Sequence, residues 1–283
     1  MFEQRTKSGE RLSDSSLAWK AVTSWRWCCA EASGLNVLLD PEICLTILHT
    51  PASLTTTEFL ARVYEAAPRV AVFDCDGTLW KPDSGSSFMT WTIEKGLLSA
   101  DAITWLNERY EGYKSGQVSE LAICGEMVQV YRGIQEETLR KAAAEFFREM
   151  IEPHIFPEML QLVRDLQLAG AEIWAVSSTC DWVVEEGVKR FGIPANRVLA
   201  ACVECANGMA TDRLRDVPTD EGKVASLMRV GVTAPDAVFG NSVHDAAMLS
   251  IARHPFPVNP SAELASFSAE HGWPVYYPDA ARR

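Results

Sequence analysis

Residues 70–79 read Val70-Ala71-Val72-Phe73-Asp74-Cys75-Asp76-Gly77-Thr78-Leu79. An apolar run stops at an aspartate, a second aspartate follows two positions on, and a glycine then lets the chain turn. A short run without polar alternation is how a strand covered on both faces reads, as in a parallel sheet. Along extended backbone, residues i and i+2 point the same way, so Asp74 and Asp76 can face one ligand. Two carboxylates that close repel each other unless a cation or a shared proton lies between them. A hard cation held by a carboxylate and a backbone carbonyl meets that need, and Mg²⁺ is the natural candidate.

Working outward, similar runs recur at 171–176 (AEIWAV), 197–201 (RVLAA), 236–239 (DAVF) and 256–259 (FPVN). Helical patterns separate them at 157–168, 181–191, 222–228 and 246–252. Alternating strands and helices predict an α/β fold with a doubly wound, mostly parallel sheet. The stretch from Asp74 to Ala171 breaks the alternation and holds no convincing strand. Within it, Leu139, Ala143, Phe146, Phe147 and Met150 fall on one face of a predicted helix over 135–150. Helices over 100–113 and 118–131 look similar, so this interval predicts an inserted α-helical cap over the end of the sheet where open α/β folds keep their ligand sites.

Upstream, Thr55-Thr56-Thr57-Glu58 has the form of a capping box, opening a helix that Pro68 ends. Residues 1–52 read unlike the rest, with Trp19, Trp25, Trp27 and the pair Cys28–Cys29 in a stretch of poor periodicity. The 283 residues carry a formal net charge of −12. That balance argues against a nucleic-acid binder, which needs a basic face, and against docking on anionic lipid. No apolar run approaches the ~18 residues of a membrane span, and no signal peptide is visible, so a cytoplasmic protein is expected. The eight cysteines are scattered and predict reduced, buried thiols; Cys202-x-x-Cys205 has the spacing of half a zinc site and lacks a matching half.

The Asp74–Leu79 motif resembles the first motif, DxDGT[LV], of the haloacid dehalogenase-like hydrolase superfamily. Three further stretches resemble the remaining motifs, in order: Ile173-Trp-Ala-Val-Ser177-Ser178-Thr179, Lys223 within Asp220-Glu-Gly-Lys-Val, and Phe239-Gly240-Asn241-Ser242-Val243-His244-Asp245. The helical insertion, with Gly96-Leu97-Leu98 and Tyr113-Lys-Ser-Gly, is similar to the phosphoserine-phosphatase-like branch, as is the segment 176–186. The likeness runs from about Pro68 to Val275. It implies a Rossmann-like core over 68–82 and 158–283, a helical cap over 83–157, and an N-terminal extension and helix over 1–67.

The resemblance also implies roles. Asp74 would be the nucleophile that becomes an aspartyl phosphate, and Asp76 the general acid and base. Ser177 and Ser178 would hold phosphate oxygens, with Lys223 balancing the charge. Asp74, the carbonyl of Asp76, Asn241 and Asp245 would hold Mg²⁺. Asn241 departs from the usual acid at its position, so one metal ligand would be an amide oxygen. Asp83 reads equally as the acid that meets a substrate amine in phosphoserine-type relatives and as part of an Asp-Ser-Gly turn. His244 reads as a surface loop histidine, with reach to a phosphate oxygen as the other reading. The expected activity is Mg²⁺-dependent hydrolysis of a small phosphorylated metabolite, with no nucleic-acid or membrane partner. A phosphotransferase or mutase of the same fold, or a non-catalytic protein that binds metal or phosphate, are the alternatives.

Overall fold

The computed structural model describes residues 51–282. The readings at Trp19, Trp25, Trp27, Cys28, Cys29 and Cys44, and that of a missing signal peptide, lie outside the described residues. Strand β1 (Ser53–Leu54) leads into α1 (Thr56–Ala66), and β2 (Val70–Phe73) follows. The insertion holds α2 (Ser84–Glu94), α3 (Ala100–Lys114), α4 (Glu120–Gln129) and α5 (Glu136–Phe146). The chain returns through α6 (Pro157–Leu168) to β3 (Glu172–Cys180), α7 (Asp181–Val188), β4 (Val198–Ala206) and β5 (Met209–Asp216). It closes with α8 (Glu221–Arg229), β6 (Ala237–Gly240), α9 (Ala246–Ser250), β7 (His254–Pro257), α10 (Ala262–Glu270) and β8 (Val275–Tyr276).

The main sheet has the order β5-β4-β3-β2-β6-β7, parallel throughout except for the antiparallel β4–β5 pair. The chain builds outward from β2 on one side through β3 and β4, and on the other through β6 and β7. The carboxyl end of β2 is therefore the switch point where open α/β sheets form a crevice. Side chains of β2 alternate between two buried clusters. Ala71 and Phe73 enter one cluster, which runs on into the cap, while Val72 enters the other with Val176, Leu227, Val238 and Leu249. Burial on both faces is the reason this strand carries no polar alternation.

The capping box forms as read: the Thr55 side chain accepts from Glu58 N, and the Glu58 carboxylate accepts from Thr55 N at 2.8 Å. Helix α1 docks Phe59 against the sheet, stacked on Tyr276 with ring centroids 4.1 Å apart, and β1 pairs with β8. The core layer thus begins upstream of Pro68, with Leu54, Phe59 and Val63 buried in it.

Three local expectations shift. Leu139, Ala143, Phe146 and Phe147 are fully buried, whereas Met150 is 48% exposed. After Phe146 the helix widens into a π-helical turn at Phe147–Ile151, which slips the face by a residue and turns Met150 outward. The strand expected over 256–259 is β7 (His254–Pro257), because Asn259 adopts a left-handed φ of 48° that ends extended backbone. Strand β5 was not foreseen. Its signal was present: Asn207 and Gly208 both take positive φ (51° and 76°), as a two-residue hairpin turn requires. Strand β5 lies at the sheet edge and carries Asp212, Arg213 and Arg215, charges that blunt further pairing.

Of the described cysteines, Cys75, Cys124, Cys180 and Cys202 are buried, and Cys205 is exposed, against the expectation that all the thiols are inside. Among the described residues, neither Cys202 nor Cys205 belongs to a group of three or more His, Cys, Asp or Glu that could hold a metal. No described helix is long and apolar enough to cross a membrane.

Candidate active site

A cavity of about 310 Å³ opens between the carboxyl ends of the strands and the cap. Asp74, Asp76, Asp83, Ser177, Ser178, Lys223 and Asn241 all line it, so seven of the eight residues singled out by sequence come together. The eighth, Asp245, is fully buried behind them.

Strand β2 delivers Asp74 to the floor of the cavity, where its backbone N–H donates to the Phe239 carbonyl at 2.9 Å. Only 5% of Asp74 is exposed. Its Oδ2 accepts from the Thr78 hydroxyl at 3.0 Å and its Oδ1 from Lys223 Nζ at 2.7 Å. Lys223, in the first turn of α8, also donates to Asp245 Oδ1 at 2.5 Å. Burial, and then the neighbouring Asp245, push the Asp74 carboxyl up, while Lys223 pulls it back down. Burial opposes the charge on Lys223, but Asp245 and Asp74 outweigh it and hold the ammonium well above the ordinary lysine range.

Asp245 has no free oxygen. Its Oδ2 accepts from Asn241 N at 2.8 Å and Ser242 N at 2.9 Å, so the carboxylate both anchors Lys223 and shapes the loop that presents Asn241. Asn241 lies directly against Gly77, whose absent Cβ would fall 2.0 Å from Asn241 Nδ2. Gly77 also takes a φ of +73°, which a side chain tolerates poorly. Gly77→Ala is accordingly expected to lose roughly 1–2 kcal/mol of stability, from backbone strain alone, and to displace Asn241. Chemical denaturation of the variant checks this; an unchanged midpoint would show that the turn has another way to close.

The Asp76 carboxyl is held by three donors. Trp80 Nε1 and Ser84 Oγ each reach Oδ1 at 2.5 Å, and Thr179 Oγ1 reaches Oδ2 at 2.7 Å. Burial, then the charge of Asp83, raise Asp76 to about 6, against the pull of those donors. Sequence reading missed Trp80, Ser84 and Thr179 in this role. Thr179 N donates to Ser177 Oγ at 3.1 Å. Asn259 was missed as well; its side chain donates to the Gly77 carbonyl at 3.3 Å and lines the cavity.

Asp83 occupies the N-cap of α2, accepting from Ser86 N at 3.0 Å, and also faces the cavity, so the turn and the pocket position coexist. His244 is not a free surface side chain. It lines the cavity, with Nδ1 2.8 Å from Asp220 Oδ1 and Nε2 3.7 Å from Glu120 Oε2 of the cap.

Among the described residues, no group of three or more His, Cys, Asp or Glu is placed to hold a metal. Asp74, Asp76 and Asn241 line the cavity and between them carry a carboxylate, a peptide carbonyl and an amide oxygen. This all-oxygen set, beside a switch-point strand, fits a hard divalent cation.

A buried aspartate clamped by a buried lysine, with a second aspartate two residues on under a helical cap, defines a hydrolase of the haloacid dehalogenase type. Residues 71–250 match the haloacid dehalogenase-like hydrolase family, and the chain belongs to it. It is 30% identical over 217 residues to a histidinol-phosphatase of Neisseria meningitidis serogroup C (strain 8013), across 73% of this chain and 97% of that one. A putative hydrolase of Mycobacterium leprae (strain TN) is 27% identical, across 72% of this chain and 71% of that one. Among solved structures, a Bordetella pertussis Tohama I protein of unknown function superposes with a TM-score of 0.64 at 24% identity, covering 74% and 97% of the two chains. A phosphoserine phosphatase in a phospho-aspartyl intermediate analogue state shares the fold, with a TM-score of 0.52 at 13% identity over 75% of this chain and 93% of that one.

Proposed function

We propose that the chain is a phosphatase of small phosphate monoesters that works through an aspartyl phosphate on Asp74. The observation that carries this is the Asp74–Lys223–Asp245 chain of contacts, at 2.7 and 2.5 Å, beneath a cavity into which Asp76 also projects. Lys223 and Thr78 fix the orientation of the Asp74 carboxylate, so that it attacks phosphorus without searching for a rotamer. The P–O bond to the alcohol breaks as the Asp74–P bond forms, and Asp76 gives the leaving oxygen its proton. Asp76, now a carboxylate steadied by Trp80, Ser84 and Thr179, takes a proton from the water that attacks the acyl phosphate. Phosphate leaves and Asp74 is regenerated. Ser177 and Ser178 bind the phosphoryl oxygens.

Asp74, the Asp76 carbonyl and Asn241 are the residues that would hold Mg²⁺, which when bound neutralises charge on the phosphoryl group. Asp245, the fourth residue expected to hold the metal, accepts from Lys223, Asn241 N and Ser242 N and so steadies both the ammonium and the Asn241 loop. The name of the Neisseria relative makes histidinol phosphate the first ester to test.

The test is phosphate release from a panel of monoesters, with Mg²⁺ and with EDTA, for the wild type and Asn241→Asp. Turnover with Mg²⁺ and none with EDTA is expected. Restoring the acid at position 241 should lower the Mg²⁺ needed for half-maximal rate by roughly five- to thirty-fold, the scale of one partly screened charge pair. Phosphate release that EDTA leaves untouched would refute the metal assignment, and no release from any ester would refute the phosphatase reading.

A further inference from the structure

Asp76 sits where the core meets the cap, and side chains from both hold it. Trp80, just after β2, and Ser84, in the first turn of α2, each reach Oδ1 at 2.5 Å. Thr179, near the carboxyl end of β3, reaches Oδ2 at 2.7 Å. Trp80 and Ser84 are fully buried, and Thr179 is nearly so. The Ser84 hydroxyl has no other hydrogen-bond partner among the described residues. The first turn of α2 comes this close because position 85 is glycine: a Cβ there would lie 2.8 Å from Thr179 Oγ1.

A carboxylate offers about four acceptor positions, two on each oxygen. The indole N–H of Trp80 can only donate, and with the Ser84 hydroxyl it fills both positions on Oδ1. Thr179 fills one on Oδ2. The remaining position, also on Oδ2, is the one left for a transferable proton, and Asp76 is part of the cavity lining. The donors therefore fix both the plane of the carboxyl group and the oxygen that carries the proton. Removing the Ser84 hydroxyl opens a second resting place for that proton, in a buried gap on Oδ1.

We infer that Ser84 and Thr179 are positioning residues for the acid step: with Trp80 they hold Asp76 so that its open position on Oδ2 meets the leaving oxygen. This rests on the phosphatase reading above and deepens it. As the bond from Asp74 to phosphorus forms, the phosphorus–oxygen bond to the alcohol breaks. The electron pair left on the alkoxide oxygen takes the proton from Asp76.

The expected signature is selectivity for poor leaving groups. 4-Nitrophenolate leaves as a stable anion and needs no proton, whereas an alkoxide does. A merely structural role for the two hydroxyls would slow both kinds of ester alike. The test measures kcat/KM, which reports the steps through loss of the alcohol, for alkyl esters and for 4-nitrophenyl phosphate. Histidinol phosphate and O-phosphoserine are among the alkyl esters, and the fastest of them sets the comparison. Ser84→Ala and Thr179→Val should each lower the alkyl-to-aryl ratio by roughly 10–100-fold, part of the roughly 10²–10⁴-fold that a complete general acid supplies. Thr179→Ser, which keeps the hydroxyl, should restore most of the ratio. An unchanged ratio in either Ser84→Ala or Thr179→Val, or an equal loss on both kinds of ester, overturns the inference and leaves the phosphatase reading standing. So does a wild type that cleaves the aryl ester alone, since a positioned acid serves alkyl esters. Phosphate release from none of the esters sinks the phosphatase reading itself, and the inference with it.

Discussion

Asp74→Asn removes turnover while leaving the protein folded. An amide nitrogen or oxygen in place of the carboxylate cannot become an acyl phosphate, so the double displacement has no first step. The expected loss is at least ~10⁴-fold in kcat, the scale on which an enzyme loses its nucleophile. The fold is expected to survive because Lys223 keeps its contact with Asp245 at 2.5 Å, and because burial disfavours charge at position 74 in any case. Single-turnover phosphate release, with circular dichroism on the same sample, checks both halves. Turnover near the wild-type rate would exclude Asp74 as nucleophile and remove the basis of the mechanism.

Lys223→Met has the opposite profile: it destabilises the fold before it informs on catalysis. Lys223 is only 2% exposed and is the shared partner of two buried carboxylates. Methionine fills the volume and leaves both acids uncompensated, a change that typically costs about 3–5 kcal/mol. For a domain of this size that is a fall in Tm on the order of 10 °C. The pH dependence has a definite sign. Without the ammonium, nothing offsets the burial that pushes the folded-state pKa of Asp74 above its unfolded value. The contribution of Asp74 is then fully present below the unfolded pKa and is lost as pH rises through the folded one. The variant should therefore recover stability as pH falls from 8 toward 5. Thermal melts in EDTA across that range decide the matter. A variant as stable as the wild type at pH 8 would mean that the aspartates neutralise each other by sharing a proton.

Much of this protein was legible in its sequence because the signals are local. The run ending at Asp74, the Thr55–Glu58 box and the strands at 171–176 and 197–201 each report what a few consecutive residues demand of their own backbone. The order of the four motifs carried the resemblance, and with it the eight candidate residues, seven of which line one cavity. The π-helical slip that exposes Met150 is local too, but it depends on where the following segment must pack, so periodicity alone continued the face one turn too far. The Asn207-Gly208 hairpin was readable and was not read.

Tertiary structure alone decided the rest, since the partners are remote in the chain and only strand order brings them together. Thr179 reaches Asp76 across 103 positions, and Asn259 reaches Gly77 across 182. Glu120 and His244 belong to different elements, a cap helix and a core loop, and their meeting depends on how α4 sits over the end of the sheet. A serine, threonine or glutamate has no periodic signature that marks it for such work. Its role is set by whichever polar atom burial leaves it facing, and that is a property of the packed molecule.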